Sequence, residues 1–88
     1  MNFLKISKAL ADGNRYKILK TLIEKGEISC GELENHFTLS QPTISHHLKI
    51  LYDCGLINAQ KDGQHSILTI NKKTLQKYLK TIEGELIK

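Results

Sequence analysis

The stretch Cys30–Ile57, CGELENHFTLSQPTISHHLKILYDCGLI, decides the fold. It reads as two helices of unequal kind joined by a tight turn. The first, about Gly31 to Phe37, is short and sets Leu33 and Phe37 at i, i+4 spacing. The second, about Gln41 to Asp53, has a strong start: Ser40 can accept from a free backbone N–H of the first turn. Leu39 and Ile44 stand at the N′ and N4 positions of a hydrophobic staple. Pro42 falls where a missing N–H breaks no helical bond, and Gly55 is the expected stop. At about 100° per residue, Ile44, Leu48 and Leu51 share one face, with His47 on its edge. The opposite arc carries Pro42, Ser45, His46, Lys49 and Asp53, with Thr43 and Ile50 on a flank. This is the arrangement by which a helix-turn-helix holds one helix in the DNA major groove.

The exposed arc, from Ser40 onward, suits a groove. Thr43 and Ser45 can donate to or accept from base edges, Gln41 can pair bidentately with adenine, and His46 can donate to a guanine acceptor. Lys49 can neutralise a phosphate. A merely solvated face of a small helical domain is the bland alternative, and the flanking segments weigh against it. His47, at the border of the buried arc, reads as a hydrogen-bonded core histidine and His46 as the contact.

Behind the motif the period changes from helical to alternating. Leu56-Ile57 and Ile67-Leu68-Thr69-Ile70 bracket Lys61-Asp62-Gly63-Gln64-His65, and Asp-Gly between apolar strands signals a hairpin. A hairpin directly after a recognition helix is a wing, spanning about 56–70. Its tip would carry Lys61, Gln64 and His65 towards the backbone or minor groove.

Two helical segments precede the motif. Phe3, Ile6 and Leu10 form one stripe, widened by Leu4 and Ala11, over about 2–11. Asp12 then caps a helix whose apolar face is Ile18, Leu19, Leu22 and Ile23, and Gly26 ends it. The break at Gly13 would let the first helix leave the globule. At the other end, about 72–87, Leu75, Leu79, Ile82 and Leu86 are spaced 4, 3, 4, close to a coiled-coil seam. Pairing both terminal helices with those of a second subunit would cover Phe3, Ile6, Leu10, Leu75, Leu79, Ile82 and Leu86 together. A two-fold dimer would set two recognition helices about 34 Å apart on a pseudo-palindrome.

Composition bounds the function. A chain of 88 residues is expected to form one domain (1–88), mainly α with a small β-hairpin, too small for a roomy catalytic cleft. A net charge of +4 and a pI near 9.1 are compatible with a polyanionic partner. No apolar run approaches the roughly 20 residues of a membrane span, and Met1–Lys8 lacks the pattern of a signal peptide, so a cytoplasmic protein is expected. No nucleophile and base ordering or phosphate-cradling loop points to an enzyme, and no cofactor is expected. Cys30 and Cys54 are two thiols at opposite ends of the motif, on the order of 20 Å apart if its helices cross steeply, too far for a disulfide. They read as small core residues, with a thiol switch through Cys54 or Cys30 as the alternative.

The order helix, helix, helix-turn-helix, wing, helix, with ALADGNRYKILKTL, GELENHFTLSQPTISHHLKIL and CGLI, resembles the ArsR-type winged-helix repressors over about Phe3 to Ile70. Ser-His-His-Leu, with Asn71 to Leu75, is most similar to the autorepressor branch. The resemblance implies a winged helix-turn-helix (α-α-α-α-β-β-α) and a homodimer joined through its terminal helices. It also implies repression from double-stranded operator DNA. Metal-sensing members carry Cys-x-Cys entering the first motif helix, where this chain has Ser29, Cys30 and Gly31. Others bind zinc through the last helix, which here has no histidine, while Glu83 and Glu85 point apart. His46 and His47 diverge on their helix, and His36 and His65 have no ligand-spaced neighbour. No metal site and no metal or small-molecule inducer is therefore expected. The family's Asp-Pro before the second helix is Asp12-Gly13 here, which loosens that start and leaves the cap. A rival binding class is a winged helix used for protein contact.

Overall fold

A computed structural model of the chain describes residues 1–87. In order these form α1 (Phe3–Leu10), α2 (Gly13–Lys25), β1 (Glu27–Ser29), α3 (Cys30–Asn35), α4 (Gln41–Asp53), β2 (Ile57–Asp62), β3 (His65–Ile70) and α5 (Lys72–Leu86). This is a winged helix-turn-helix: α3 and α4 are the motif, β2 and β3 the wing.

Each helix start is built from a side-chain cap that satisfies a backbone N–H with no helical partner. Asn2 accepts from Lys5, Asp12 from Asn14 and Arg15, Ser29 from Glu32, Ser40 from Thr43 and Asn71 from Thr74. The end of α4 is equally defined. Gly55 takes φ +86°, its N–H donates to the Tyr52 carbonyl, and the Leu56 N–H reaches back to Leu51. That reciprocal pair is a Schellman motif, and its apolar clasp is Leu51 against Leu56, both fully buried.

The sheet has three antiparallel strands in the order β1-β3-β2. Strand β1 was not expected; three residues are too short to display a period, and it exists because Ile28 pairs with Leu68 across the ladder. The hairpin stands where expected but turns one residue later. Asp62 pairs with His65, so the loop is Gly63-Gln64, with positive φ at Gly63 alone of the two. That places glycine first in the loop, the pattern of a type II′ turn.

One core joins the elements: Ile6 and Ala9 from α1, Ile18, Leu19 and Leu22 from α2, Leu33 from α3, Ile44 and Leu51 from α4, and Ile28, Ile57 and Leu68 from the sheet. Two expectations change here. The α1 helix does not leave the globule, because Ile6 and Ala9 are fully enclosed by its own chain. Helix α3 ends at Asn35, short of Phe37: the His36 and Phe37 N–H groups bond three residues back, tightening the end into a 3₁₀ turn. Phe37 still packs on the core from that turn.

Candidate nucleic-acid interface

Helix α4 divides into two faces. Ile44, His47 and Leu51 are buried, Leu48 and Ile50 are half-buried, and Gln41, Pro42, Thr43, Ser45, His46, Lys49, Tyr52 and Asp53 are exposed. The buried spacing i, i+3, i+7 puts His47 at the centre of the inward face, where the sequence had suggested its edge. A partner from α2 explains the shift: Arg15 Nη1 lies 3.2 Å from His47 Nδ1, so the imidazole enters the core with its polarity satisfied.

The outward residues keep their groups available. Ser40 caps the helix, and its Oγ sits 2.8 Å from Thr43 Oγ1, so these two hydroxyls act as a linked pair. Lys49 is held by Asp53 at 3.2 Å in an exposed i, i+4 pair. Such a pair is worth about 0.3–0.5 kcal/mol, little against a phosphate that would replace it.

Strand alternation sorts the wing. Lys61 shares a face of the ladder with Ala59 and its register partner Ser66. His65 pairs with Asp62 on the opposite face, and Gln64 occupies the turn. Lys61 and His65 are therefore not brought to one side. Asn58 to Asp62 are exposed without interruption, so the wing projects from the core. Between α4 and the wing runs a groove of about 250 Å³, with Ser45, Lys49 and Tyr52 on the helix side and Ala59 and Ser66 on the strand side. Tyr52, exposed and seven residues after Ser45, was not singled out from sequence, although its spacing from Ser45 and Lys49 is the signal that finds it. Cys30 lies at the base of this groove. Burial pushes its thiol pKa up, the Glu34 charge adds to that, and a Ser66 hydrogen bond partly offsets both. Cys54 donates from Sγ to the Leu51 carbonyl at 3.3 Å.

The residues expected at a subunit interface divide. Ile6 is a correction: it is fully buried inside its own chain and has no surface to offer, while its neighbour Leu4 is 70% exposed. Leu79 and Leu86 are exposed, whereas Phe3, Leu10, Leu75 and Ile82 are half-buried against the protomer core. Helix α5 turns Tyr78 inwards, stacked on Phe3 at 4.9 Å and hydrogen-bonded to Ser7 at 2.8 Å. Tyr78 was missed because the leucine stripe beside it drew the seam one position away. Among the described residues no three His, Cys, Asp or Glu side chains converge as metal ligands, and no helix is long and apolar enough to cross a membrane.

Comparison with known proteins agrees with this geometry. The profile of bacterial regulatory proteins of the arsR family matches residues 12–59. The transcriptional repressor SdpR of Bacillus subtilis is 38% identical over 71 residues, 81% of this chain and 78% of that protein. The arsenical resistance operon repressor of Staphylococcus aureus is 38% identical over 77 residues, 88% of this chain and 73% of that protein. Among solved structures, an ArsR-like transcriptional regulator from Rhodococcus superposes with a TM-score of 0.84 at 28% identity, covering 93% of this chain and 76% of that one. HlyU from Vibrio cholerae superposes with a TM-score of 0.77 at 29% identity, covering 97% and 91%. An inward face locked into the core, an outward polar face and a wing beside it thus occur in a chain that belongs to the ArsR family of bacterial regulatory proteins, which are DNA-binding regulators of transcription and not enzymes.

Proposed function

We propose that this protein is a cytoplasmic homodimeric repressor, one domain per chain, that reads a pseudo-palindromic operator and senses no metal. The carrying observation is the division of α4: Gln41, Thr43, Ser45, His46 and Lys49 stand exposed on a helix whose other side is fixed by Ile44, His47 and Leu51. In this reading Gln41, Thr43, Ser45 and His46 reach base edges, and Lys49 and the Ser40 hydroxyl hold phosphates. The wing adds Lys61, with Gln64 and His65 further along the backbone. The repressor names of the relatives support the direction of control. Ser29 and Gly31, where metal sensors carry paired thiols, support the absence of a metal response.

The test is to select bound fragments from genomic DNA and measure variants on the operator found. His46→Ala and Gln41→Ala each weaken specific binding by about 1–3 kcal/mol and leave non-specific binding nearly unchanged. Lys61→Ala weakens both and lowers the salt slope by about 1. Unchanged operator binding in all three would mean that the reading face is wrongly assigned.

One observation favours a thiol-responsive version of the same repressor. Half-buried Cys54 lines a pocket of about 290 Å³ with Lys5, Lys8 and Arg15, between α1 and the end of α4. Titrating operator binding with an oxidant, with Cys54→Ser as control, separates the two: a thiol-independent repressor gives superimposable curves. A wing used for protein contact would instead show no steep loss of DNA affinity with salt.

A further inference from the structure

The Arg15 side chain makes more hydrogen bonds than any other among the described residues, and together with its backbone N–H it joins three helices. Its backbone N–H donates to Asp12 Oδ1 at 3.0 Å, in the cap of α2. Its side-chain Nε donates to the Ala9 carbonyl at 2.8 Å and Nη2 to the Lys8 carbonyl at 3.2 Å. Both carbonyls belong to the last turn of α1, at the negative end of the helix dipole, and the Lys8 carbonyl also accepts the Ala11 N–H at 3.2 Å. The remaining arm, Nη1, lies 3.2 Å from Nδ1 of His47 at the centre of α4's buried face. His47 is 7% exposed, so little water is available to replace that bond.

The chemistry of this contact is directional. A guanidinium has donors and no acceptor, so Nδ1 must accept, and the imidazole must be neutral with its proton on Nε2. A second proton, on Nδ1, would set two cations face to face where a hydrogen bond had been. The other charges around the pair are Asp12 from α2, which feels both Arg15 and His47, and His46 on α4 itself, with ring centroids 5.9 Å apart. Lys5 and Lys8 of α1 and Asp53 of α4 line the pocket beside Arg15. Asp53 is engaged by Lys49, which leaves Asp12 as the one nearby carboxylate directly joined to the clamp.

We propose that Arg15 is a positioning residue for operator recognition, clamping the recognition helix to the end of α1 through a His47 that must be neutral to accept its hydrogen bond. This rests on the reading of α4 as the operator-contacting helix. Neither Arg15 nor His47 faces the groove side of α4; their effect is on the angle at which Gln41, Ser45 and His46 are presented. Because α1 lies at the expected subunit junction, the same clamp ties the spacing of two reading helices to the end of α1.

Three measurements test it. Long-range ¹H–¹⁵N spectra of the free wild-type protein at neutral pH are expected to show His47 with bare Nδ1 and protonated Nε2; a proton on Nδ1 overturns the clamp without any variant. His47→Phe keeps the ring bulk without an acceptor, and His47→Asn restores an acceptor close to the Nδ1 position. The Phe variant and Arg15→Lys are expected to lose roughly tenfold in operator affinity, the double variant no more than either, and the Asn variant to stay within about threefold of wild type. A folded Phe variant that binds like wild type overturns the proposal. Amide exchange without DNA separates this from failure of the operator reading. His47→Phe speeds exchange in the last turn of α1 and in α4 together if the clamp exists, whether or not any operator is bound, and unchanged exchange there overturns it.

Discussion

Asp12 shows how one carboxylate starts a helix. Its Oδ1 accepts from the backbone N–H groups of Asn14 and Arg15, at 2.9 and 3.0 Å. The Arg15 hydrogen bond lowers its pKa below the ordinary 3.8, desolvation opposes this, and the nearby Arg15 and His47 side chains and the Asn14 bond add to the lowering. The folded state thus holds this proton less tightly than the unfolded state does. The stability linked to the charge is complete above about pH 3.8 and is lost as pH falls through the lower folded value. Asparagine is also a good cap, so Asp12→Asn isolates the charge while Asp12→Ala removes the cap as well. Urea unfolding is expected to rank wild type, Asn and Ala in falling stability at neutral pH. The first two should converge in acid, and a gap that ignores pH would assign the difference to shape instead of charge.

At the scale of the element, the three ordered glycine turns do the punctuating, and Gly55 is the most constrained. Its φ of +86° is left-handed, yet a Cβ there would meet only Thr74 atoms at 3.7 Å, an ordinary contact. The cost of Gly55→Ala is therefore conformational, about 1–2 kcal/mol. Gly31, inside α3 with open space around it, is the opposite case: Gly31→Ala gains about 0.5 kcal/mol from helix propensity. Chemical denaturation of both variants checks the pair of signs, with unchanged m-values. These elements also mark what could be read in the sequence. The limits of α4, Gln41 to Asp53, agree with expectation because cap, staple, proline and terminal glycine all specify the same ends. Strand β1 and the end of α3 escaped because they depend on partners distant in sequence, Leu68 for one and the core around Phe37 for the other. His47 was legible as a core histidine but not as the hub of α4, since the residue that receives it, Arg15, is 32 positions away. The wing residues were found as a set, but their faces follow from register, which the later turn at Gly63-Gln64 fixes.

For the whole molecule, the decisive surface is the one its own core leaves uncovered. The chain encloses Ile6 and Tyr78 but leaves Leu4, Leu79 and Leu86 at 70%, 55% and 76% exposure. Beside them an apolar groove of about 280 Å³ runs between α2 and α5, with Leu10, Ile23 and Leu79 in its walls. A chain extending 45 × 23 × 21 Å can bring two copies of α4 to one DNA face when the terminal helices meet across a two-fold axis. Buried and exposed positions on the same helices should then respond differently. Ile6→Ala removes a fully enclosed side chain and is expected to cost about 2–4 kcal/mol of folding stability. Leu79→Glu with Leu86→Glu sets charge on exposed surface, so the variant is expected to keep its helical spectrum and to sediment as a monomer at micromolar concentration, where the proposed dimer is expected for wild type. Operator affinity falls with loss of the dimer, because each protomer then binds a half-site alone, and on a half-site fragment the variant and wild type converge. A double variant that still sediments as a dimer would place the subunit junction elsewhere, and retained full-site affinity in a monomer would remove the need for two-fold reading.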